Sequence, residues 1–386
     1  MGNEYFGKGY AELYEDYIDF INYVFGFDGH NENFVSLLPK LYKPECKPLE
    51  NAYVALTDGK LRAAVGTQSC DIRVAGTKIT CRGVGNVAVH PFTRSRGYMR
   101  KLMNMALDDM VSDRIDLSVL GGRRQRYNYF SYEKTGTLYD FTINEDNLRH
   151  CFGADRSAYH TVTFSKLDEN DTDALKNIKE LLEGQVYYPC RPAEKLYDIL
   201  CSWSSTPYVV SKAGRFAGYF IYKSETVFEI ALCDKDNFFN TIITLFDEFK
   251  LKKLTIKLPP FEVDYISRLY RVCEGYTIGT VEHFSVLSYG RVVDAFIRLK
   301  ASYEELPDGE LRLLIHGRAG DENIRIYSCG GVCGVESNDG AYDLELEHID
   351  AMNLLFSPFC PGSQRLPGFA RVWLPLPIWL PRADGI

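Results

Sequence analysis

No run of 18 apolar residues occurs in this chain of 386 residues, so no segment reads as a membrane-spanning helix. Positive charge is in deficit: 44 Lys and Arg face 52 Asp and Glu, a net charge of −8. That balance argues against general nucleic-acid binding and mildly favours cationic ligands. The eleven cysteines form no C-x-x-C pair. Cys329 and Cys333, separated by Gly-Gly-Val, have no second pair to complete a metal site, so no metal is expected. A scattered, odd set reads as buried thiols in a reducing compartment. The opening residues lack the basic and apolar regions of a secretion signal, and Phe6 stands where a myristoylation signal needs Ser or Thr. A cytoplasmic protein is expected. What is abundant is aromatic: 26 Tyr and 23 Phe suit strand-rich cores and stacked binding surfaces. The length predicts two or three domains.

The most informative stretch is Val87-Ala88-Val89-His90-Pro91-Phe92-Thr93-Arg94-Ser95-Arg96-Gly97-Tyr98-Met99. It begins as a β-branched strand, breaks at Pro91 and restarts as a helix. The apolar residues Met99, Leu102, Met103, Ala106, Leu107 and Met110 follow at helical spacing and predict one buried face. Between strand and helix lies a basic turn. A helix N-terminus offers unpaired N–H groups and partial positive charge, which attract phosphate, and Gly97 allows close backbone approach. The arrangement resembles motif A of the GNAT acetyltransferase superfamily, whose loop reads roughly Arg/Gln-x-x-Gly-x-Gly/Ala. Arg94, Ser95, Arg96, Gly97 and Tyr98 fill that pattern, with Met99 where the family often has a small residue. The resemblance implies a loop that cradles the pyrophosphate of coenzyme A. It also implies a splayed strand whose backbone, at Val87, Ala88 and Val89, pairs with the pantetheine arm.

Along the chain, a first helix is expected over 8–25, with Tyr10, Leu13, Tyr14, Tyr17, Ile18, Ile21 and Val24 on one face. Its acidic face, Glu12, Glu15, Asp16 and Asp19, could attract a polyamine, although such faces are ordinarily just solvated. Strands are expected at 52–57, 61–73, 77–82 and 84–90, with hairpin signals at Asp58-Gly59 and Ala75-Gly76. A strand at 115–120, Gly121-Gly122 and another helix then complete a unit over 1–150. A second unit, 151–288, repeats the order: a helix in 165–185, a hairpin at 208–222, a strand at 227–232, a helix at 238–249 and a strand at 253–258. Its turn reads Cys233-Asp234-Lys235-Asp236, without the Gly and arginines, so it is expected to shape a cleft and bind no cofactor. The third unit, 289–386, opens a helix at Arg291-Val292-Val293-Asp294. Strands at 310–316, 323–329, 332–335 and 342–346 follow, then a helix at 351–356 capped by Asp350, an α+β order. The apolar, proline-stiffened tail from Val372 to Ile386 is expected to lie extended, with its end held somewhere specific.

The motif-A unit, the silent second unit and the α+β third unit together resemble the Eis-type (enhanced intracellular survival) GNAT acetyltransferases. The implied fold is α/β and α+β, with tandem GNAT-like domains of mixed sheet flanked by helices, followed by a sterol-carrier-like domain. The family's acid lies in Y-x-x-F-G-Y; here the segment is Tyr127-Asn128-Tyr129-Phe130-Ser131-Tyr132, with Ser131 replacing Gly. Tyr127 thus matches the tyrosine that protonates the departing thiolate. The family's base is the C-terminal carboxylate, a role that falls on Ile386. The resemblance further implies acetyl-CoA as co-substrate, a small-molecule amine acceptor such as an aminoglycoside-like polyamine, and a homo-oligomer, a hexamer in family members. No nucleic-acid or membrane partner is expected.

Elementary chemistry is consistent with these roles. An amine is mostly protonated at neutral pH, so attack needs a base; a thiolate leaving group gains from a proton donor. A motif-A backbone N–H, that of Val89, could meet the negative charge developing on the carbonyl oxygen. The bland readings stay open beside these. Tyr127 could be a packing aromatic, Ile386 the end of an inert tail, and Arg123, Arg124 and Arg126 a solvated face. His90 follows the strand's end and is a poor candidate for base. A non-catalytic acyl-CoA sensor, or a carrier using the third unit for an apolar ligand, are the alternatives to an enzyme.

Overall fold

Asp58 and Gly59 both adopt positive φ, at 51° and 75°, and close the tight hairpin between Ala52–Thr57 and Lys60–Ser69. In the computed structural model, which describes residues 3–27 and 33–386, this hairpin belongs to a seven-stranded sheet. The sheet runs Glu4–Lys8, Ala52–Thr57, Lys60–Ser69, Cys81–Val89, Leu117–Leu120, Glu282–Val286, Glu133–Thr135. Cys81–Val89 is antiparallel to Lys60–Ser69 and parallel to Leu117–Leu120. The helix Tyr98–Ser112 makes the crossover and buries Leu102, Met103, Ala106, Leu107 and Met110, as its spacing predicts. Tyr98 joins that face in place of Met99, which is half-buried.

A second seven-stranded sheet runs Val162–Lys166, Thr206–Lys212, Arg215–Lys223, Thr226–Leu232, Lys253–Leu258, Leu138–Asn144, Gly275–Gly279. The two sheets exchange strands. Leu138–Asn144, expected within the first unit, pairs with Lys253–Leu258 and Gly275–Gly279 of the second sheet. Glu282–Val286, from the second unit, pairs with Leu117–Leu120 and Glu133–Thr135 of the first. The fold is mixed α/β, with sheets flanked by helices, consistent with tandem GNAT-like domains. The third unit packs helices Tyr289–Ala301 and His348–Phe356 on a four-stranded sheet of Gly309–Gly317, Gly320–Cys329, Val332–Ser337 and Leu344–Glu347.

Three local expectations are corrected. The first helix is Tyr14–Gly26, preceded by the strand Glu4–Lys8 and a single tight turn at Ala11–Leu13. The strand expected over 61–73 stops at Ser69, and Ile72–Val74 joins Thr77–Ile79 and Tyr187–Pro189 in a separate three-stranded sheet. The last long helix starts at His348 with Glu347 at its cap position, so Asp350 lies in its first turn, where a carboxylate meets the positive helix end. Among the described residues, no helix is long and apolar enough to cross a membrane.

Candidate active site

The parallel pair at the centre of the first sheet is joined only from Cys81↔Leu117 to Val84↔Leu120. Leu117–Leu120 then ends, while its partner continues to Val89, so the strands part there. At the parting point the register against Lys60–Ser69 slips and Asn86 takes φ 47°, a bulge that re-aims the residues after it. Val87 and Val89 pack on the cluster of Tyr98, Leu102 and Tyr127, whereas Ala88 joins the opposite cluster that includes Ile386. An extended ligand entering the fork would meet strand backbone left unpaired on one side.

At the strand's end His90 accepts, through Nδ1, the N–H of Phe92 at 3.3 Å. Its ring packs among Phe20, Tyr23 and Phe92, and burial, with Arg62 adding to it, holds it below the usual histidine range. The turn that follows puts Ser95 at φ 69° and Gly97 at φ 79°, with Gly97 as N-cap of Tyr98–Ser112. No side chain caps this helix, so its first N–H groups face the turn, and Arg94, Ser95, Arg96 and Gly97 are exposed around them. Arg94 leans on Phe27, 5.9 Å from its ring centre. The Tyr98 hydroxyl turns inward and donates to Glu4 Oε1 at 2.8 Å, which leaves only its backbone for the turn. A mononucleotide pyrophosphate fits such an uncapped, basic helix end.

Tyr127 lies on the short helix Arg124–Asn128 with its ring packed over Gly122. It is 6% exposed, and burial pushes its hydroxyl up, with the Arg126 charge pulling the other way. The turn below it is clamped by Glu133, which accepts from Arg124 at 2.5 and 2.7 Å and from Asn128 at 3.0 Å. Arg124 is thus occupied, while Arg123 and Arg126 are exposed. Ser131, standing where the family pattern has Gly, adopts φ 67°, the left-handed conformation glycine favours, and its carbonyl accepts from His348 Nε2 at 2.9 Å.

Ile386 reaches the same fork from the other face. A Cβ on Gly83 or Gly85 would collide with its side chain, and the Ile386 carbonyl carbon lies 3.4 Å from where a Gly85 Cβ would stand. The tail is held by paired charges. The Arg191 guanidinium donates to Asp384 at 2.6–3.2 Å and to Glu229 at 2.7 and 2.8 Å, all three groups buried or nearly so. The buried Lys40 ammonium donates to the carbonyl of Gly385 at 2.7 Å and to that of Ala383. Burial lowers its pKa to about 8, against the opposing pull of Asp384. Trp203 Nε1 adds a bond to Gly385 at 3.3 Å, and Tyr187 donates to the Trp379 carbonyl at 2.8 Å. Leu376 and Ile378 are fully buried.

Between the fork and the tail opens a cleft of about 300 Å³. Its walls include Leu120, Gly121, Trp203, Phe228, Glu282 and Arg382, and it ends at Ile386. Glu282 brings a carboxylate over Gly121, with Oε2 3.6 Å from the site of a Cβ there. Burial pushes this carboxyl up to about 7, against the pull of Lys134 and Arg382. Nothing in the sequence marked Glu282: it is one residue of an ordinary strand, brought here by the exchange between sheets.

Residues 9–137 match the acetyltransferase (GNAT) domain family. That stretch is similar to a GNAT domain. Solved structures of similar fold span nearly the whole length of the chain. A GCN5-related N-acetyltransferase from Kribbella flavida is 12% identical, with TM-score 0.68 and coverage of 98% of this chain and 97% of the other. A conserved Enterococcus faecalis protein of unknown function, titled a probable N-acyltransferase, is 17% identical, with TM-score 0.65 and coverage of 91% and 89%. Eis1 from Mycobacterium abscessus is 12% identical, with TM-score 0.61 and coverage of 98% of each chain. No curated protein matches the chain. The matched stretch contains the fork, the basic turn and Tyr127, whereas the cleft that meets them is completed by residues outside it.

Proposed function

We propose that the protein is an acetyl-CoA-dependent N-acetyltransferase that works by direct amine attack on the thioester. The observation that carries this reading is the convergence on one fork of an uncapped basic helix end, a buried tyrosine and the anchored chain end. The helix N-terminus at Gly97, with Arg94, Ser95, Arg96 and the backbone of Tyr98 and Met99, would hold the pyrophosphate. The strand backbone at Val87, Ala88 and Val89 would hold the pantetheine arm. Acetyl-CoA supplies the activated acyl group. The carboxylate on the last residue of the sequence, Ile386, takes a proton from the acceptor nitrogen, and the N–H of Val89 meets charge on the acyl oxygen. As the C–N bond forms and the C–S bond breaks, Tyr127 gives its proton to the departing sulfur. The opposite placement of the two groups suits this division: Tyr127 packs with Val87 and Val89, Ile386 with Ala88. No covalent enzyme intermediate is required, because holding the reactants together supplies the gain.

A cytoplasmic location, which rests on the scattered thiols, completes the proposal together with hexameric assembly and a sterol-carrier likeness of residues 289–386, which rest on the resemblance. The carrier reading has less support. The hollow bounded by Ala301–Asp308 and Ser328–Cys333 is acidic, lined by Glu304, Glu305 and Asp308, where an apolar ligand would need dry walls. The deciding experiment measures thiol release from acetyl-CoA with an amine panel, using the intact chain and one extended by a few residues beyond Ile386. Activity that collapses on extension supports transfer and the terminal base. Equal activity removes Ile386 from the mechanism, and acetyl-CoA binding without thiol release from either chain favours the sensor.

A further inference from the structure

The charges of the cleft describe its acceptor. A polycationic amine needs several carboxylates, yet this cleft is lined by two cations, Arg382 and Lys257, beside Glu282 and the end of the chain at Ile386. The acidic face of the first helix, once a candidate for a polyamine, is exposed to solvent and lines no part of it. Lys257 is already spoken for, donating to Asp140 Oδ2 at 2.6 Å. Arg382 is not: among the described residues its guanidinium makes no hydrogen bond and no ion pair within 4.0 Å, and Glu282 acts on it only at longer range. It is nonetheless held in place. The guanidinium carbon lies 4.8 Å from the ring centre of Phe228 and 5.5 Å from that of Trp203, contacts that orient a planar cation while leaving N–H donors free. Arg382 is exposed, so an entering ligand can reach it. Leu138, Val281, Trp379 and Leu380 supply apolar wall.

We propose that the cleft takes a small acceptor bearing one amine and one anionic group on an apolar body, with Arg382 receiving the anion. The proposal rests on the acetyltransferase reading and narrows its substrate class. The amine faces Ile386 and Glu282, and the anion faces Arg382, which lies near enough to Glu282 to pull on its carboxyl. A planar guanidinium binds carboxylate or phosphate through two parallel N–H···O bonds, so the anion is either of these. The cleft, about 300 Å³ and open to solvent, lies within the range of small-molecule sites.

The test compares phenylalanine with phenylalaninamide, which lacks the charge, and O-phosphoethanolamine with ethanolamine; spermidine stands for polyamines. Initial rates of thiol release from acetyl-CoA are expected to favour phenylalanine over its amide at least tenfold in kcat/KM, mainly through KM, with spermidine poorest. The phosphate pair shows whether phosphate serves as well as carboxylate. In Arg382→Gln the phenylalanine-to-amide ratio falls toward one, and Arg382→Lys lies between, because a point charge lacks the planar fork. This ratio is taken within each variant, so a general loss of activity does not mimic it. Preference for spermidine or the amide, or a ratio unchanged by Arg382→Gln, overturns the proposal. Calorimetric titration of the same amines separates the two readings. Arg382-dependent phenylalanine binding without thiol release sinks acetyl transfer and keeps the anion site. Thiol release indifferent to Arg382 does the reverse.

Discussion

The two large sheets each contain a parallel pair that parts, and they treat the gap in opposite ways. In the first, Cys81–Val89 leaves Leu117–Leu120 at Val84 and runs on into a basic turn with Gly97 at the helix start. In the second, Thr226–Leu232 is joined to Lys253–Leu258 only at Thr226↔Thr255 and Val227↔Ile256. There the protein fills its own gap. The N–H of Leu232 donates to the Tyr265 hydroxyl at 3.3 Å, and the Tyr265 ring stacks on Phe238 at 4.7 Å. The turn that follows is acidic and self-satisfied, with Asp234 capping Asp236 and Asp236 paired to Arg268. The same architecture differs in whether the backbone groups in the fork are left free. In the second sheet the Tyr265 hydroxyl takes one of them, the N–H of Leu232.

The comparison can be broken at either sheet. Extending the chain beyond Ile386 is expected to cost the first fork about 10²- to 10⁴-fold in turnover, the usual worth of a positioned base, read as thiol release. Tyr265→Ala should open the second fork and cost about 3–5 kcal/mol in denaturant unfolding. Calorimetry should still count one acetyl-CoA per chain; two would show that the second fork lacks only space. Gly97→Val places a β-branched residue at φ 79° and is expected to weaken acetyl-CoA binding about tenfold or more, with no such effect from Lys250→Gly, which relieves a φ of 53° at the far end of the helix Phe238–Phe249, away from the first fork.

A subtler change concerns pH. The Glu282 carboxyl is raised by burial from 4.5 to about 7. The folded protein therefore binds more protons than the unfolded chain between those values, and stability falls as pH rises through that window. Lys134 and Arg382, the charged groups facing it, soften this penalty without removing it. Melting temperatures of Glu282→Gln should match the parent near pH 4 and exceed it at pH 7 and above. The smallest effect is expected from Ser131→Gly, which relieves a left-handed backbone and should raise stability by up to about 1 kcal/mol.

Local pattern made much of the first fork legible. Val87 to Met99 showed strand, break, basic turn and helix in order, because those features are set by neighbours within a few residues. The helices Phe238–Phe249 and Tyr98–Ser112 follow from periodicity alone, and the strand Lys253–Leu258 lies where expected. The exchange of strands was not legible: alternation identifies Leu138–Asn144 and Glu282–Val286 as strands but carries no information about which edge they join. Nor was the capping of the last long helix, where Asp350 looked like the cap and Glu347 holds the position.

Two facts mark the division. The sequence by itself determined that the tail would be docked, because Trp373, Leu376, Ile378 and Trp379 are too apolar to leave in water. Only the tertiary structure decided where. Arg191 and Asp384 lie 193 residues apart and Lys40 and Ala383 lie 343 apart, and buried charges bind their partners through space without leaving a trace in local pattern. The same holds for Arg382 and Glu282, whose meaning comes from the cleft that the exchange of strands and the anchored tail bring together around them.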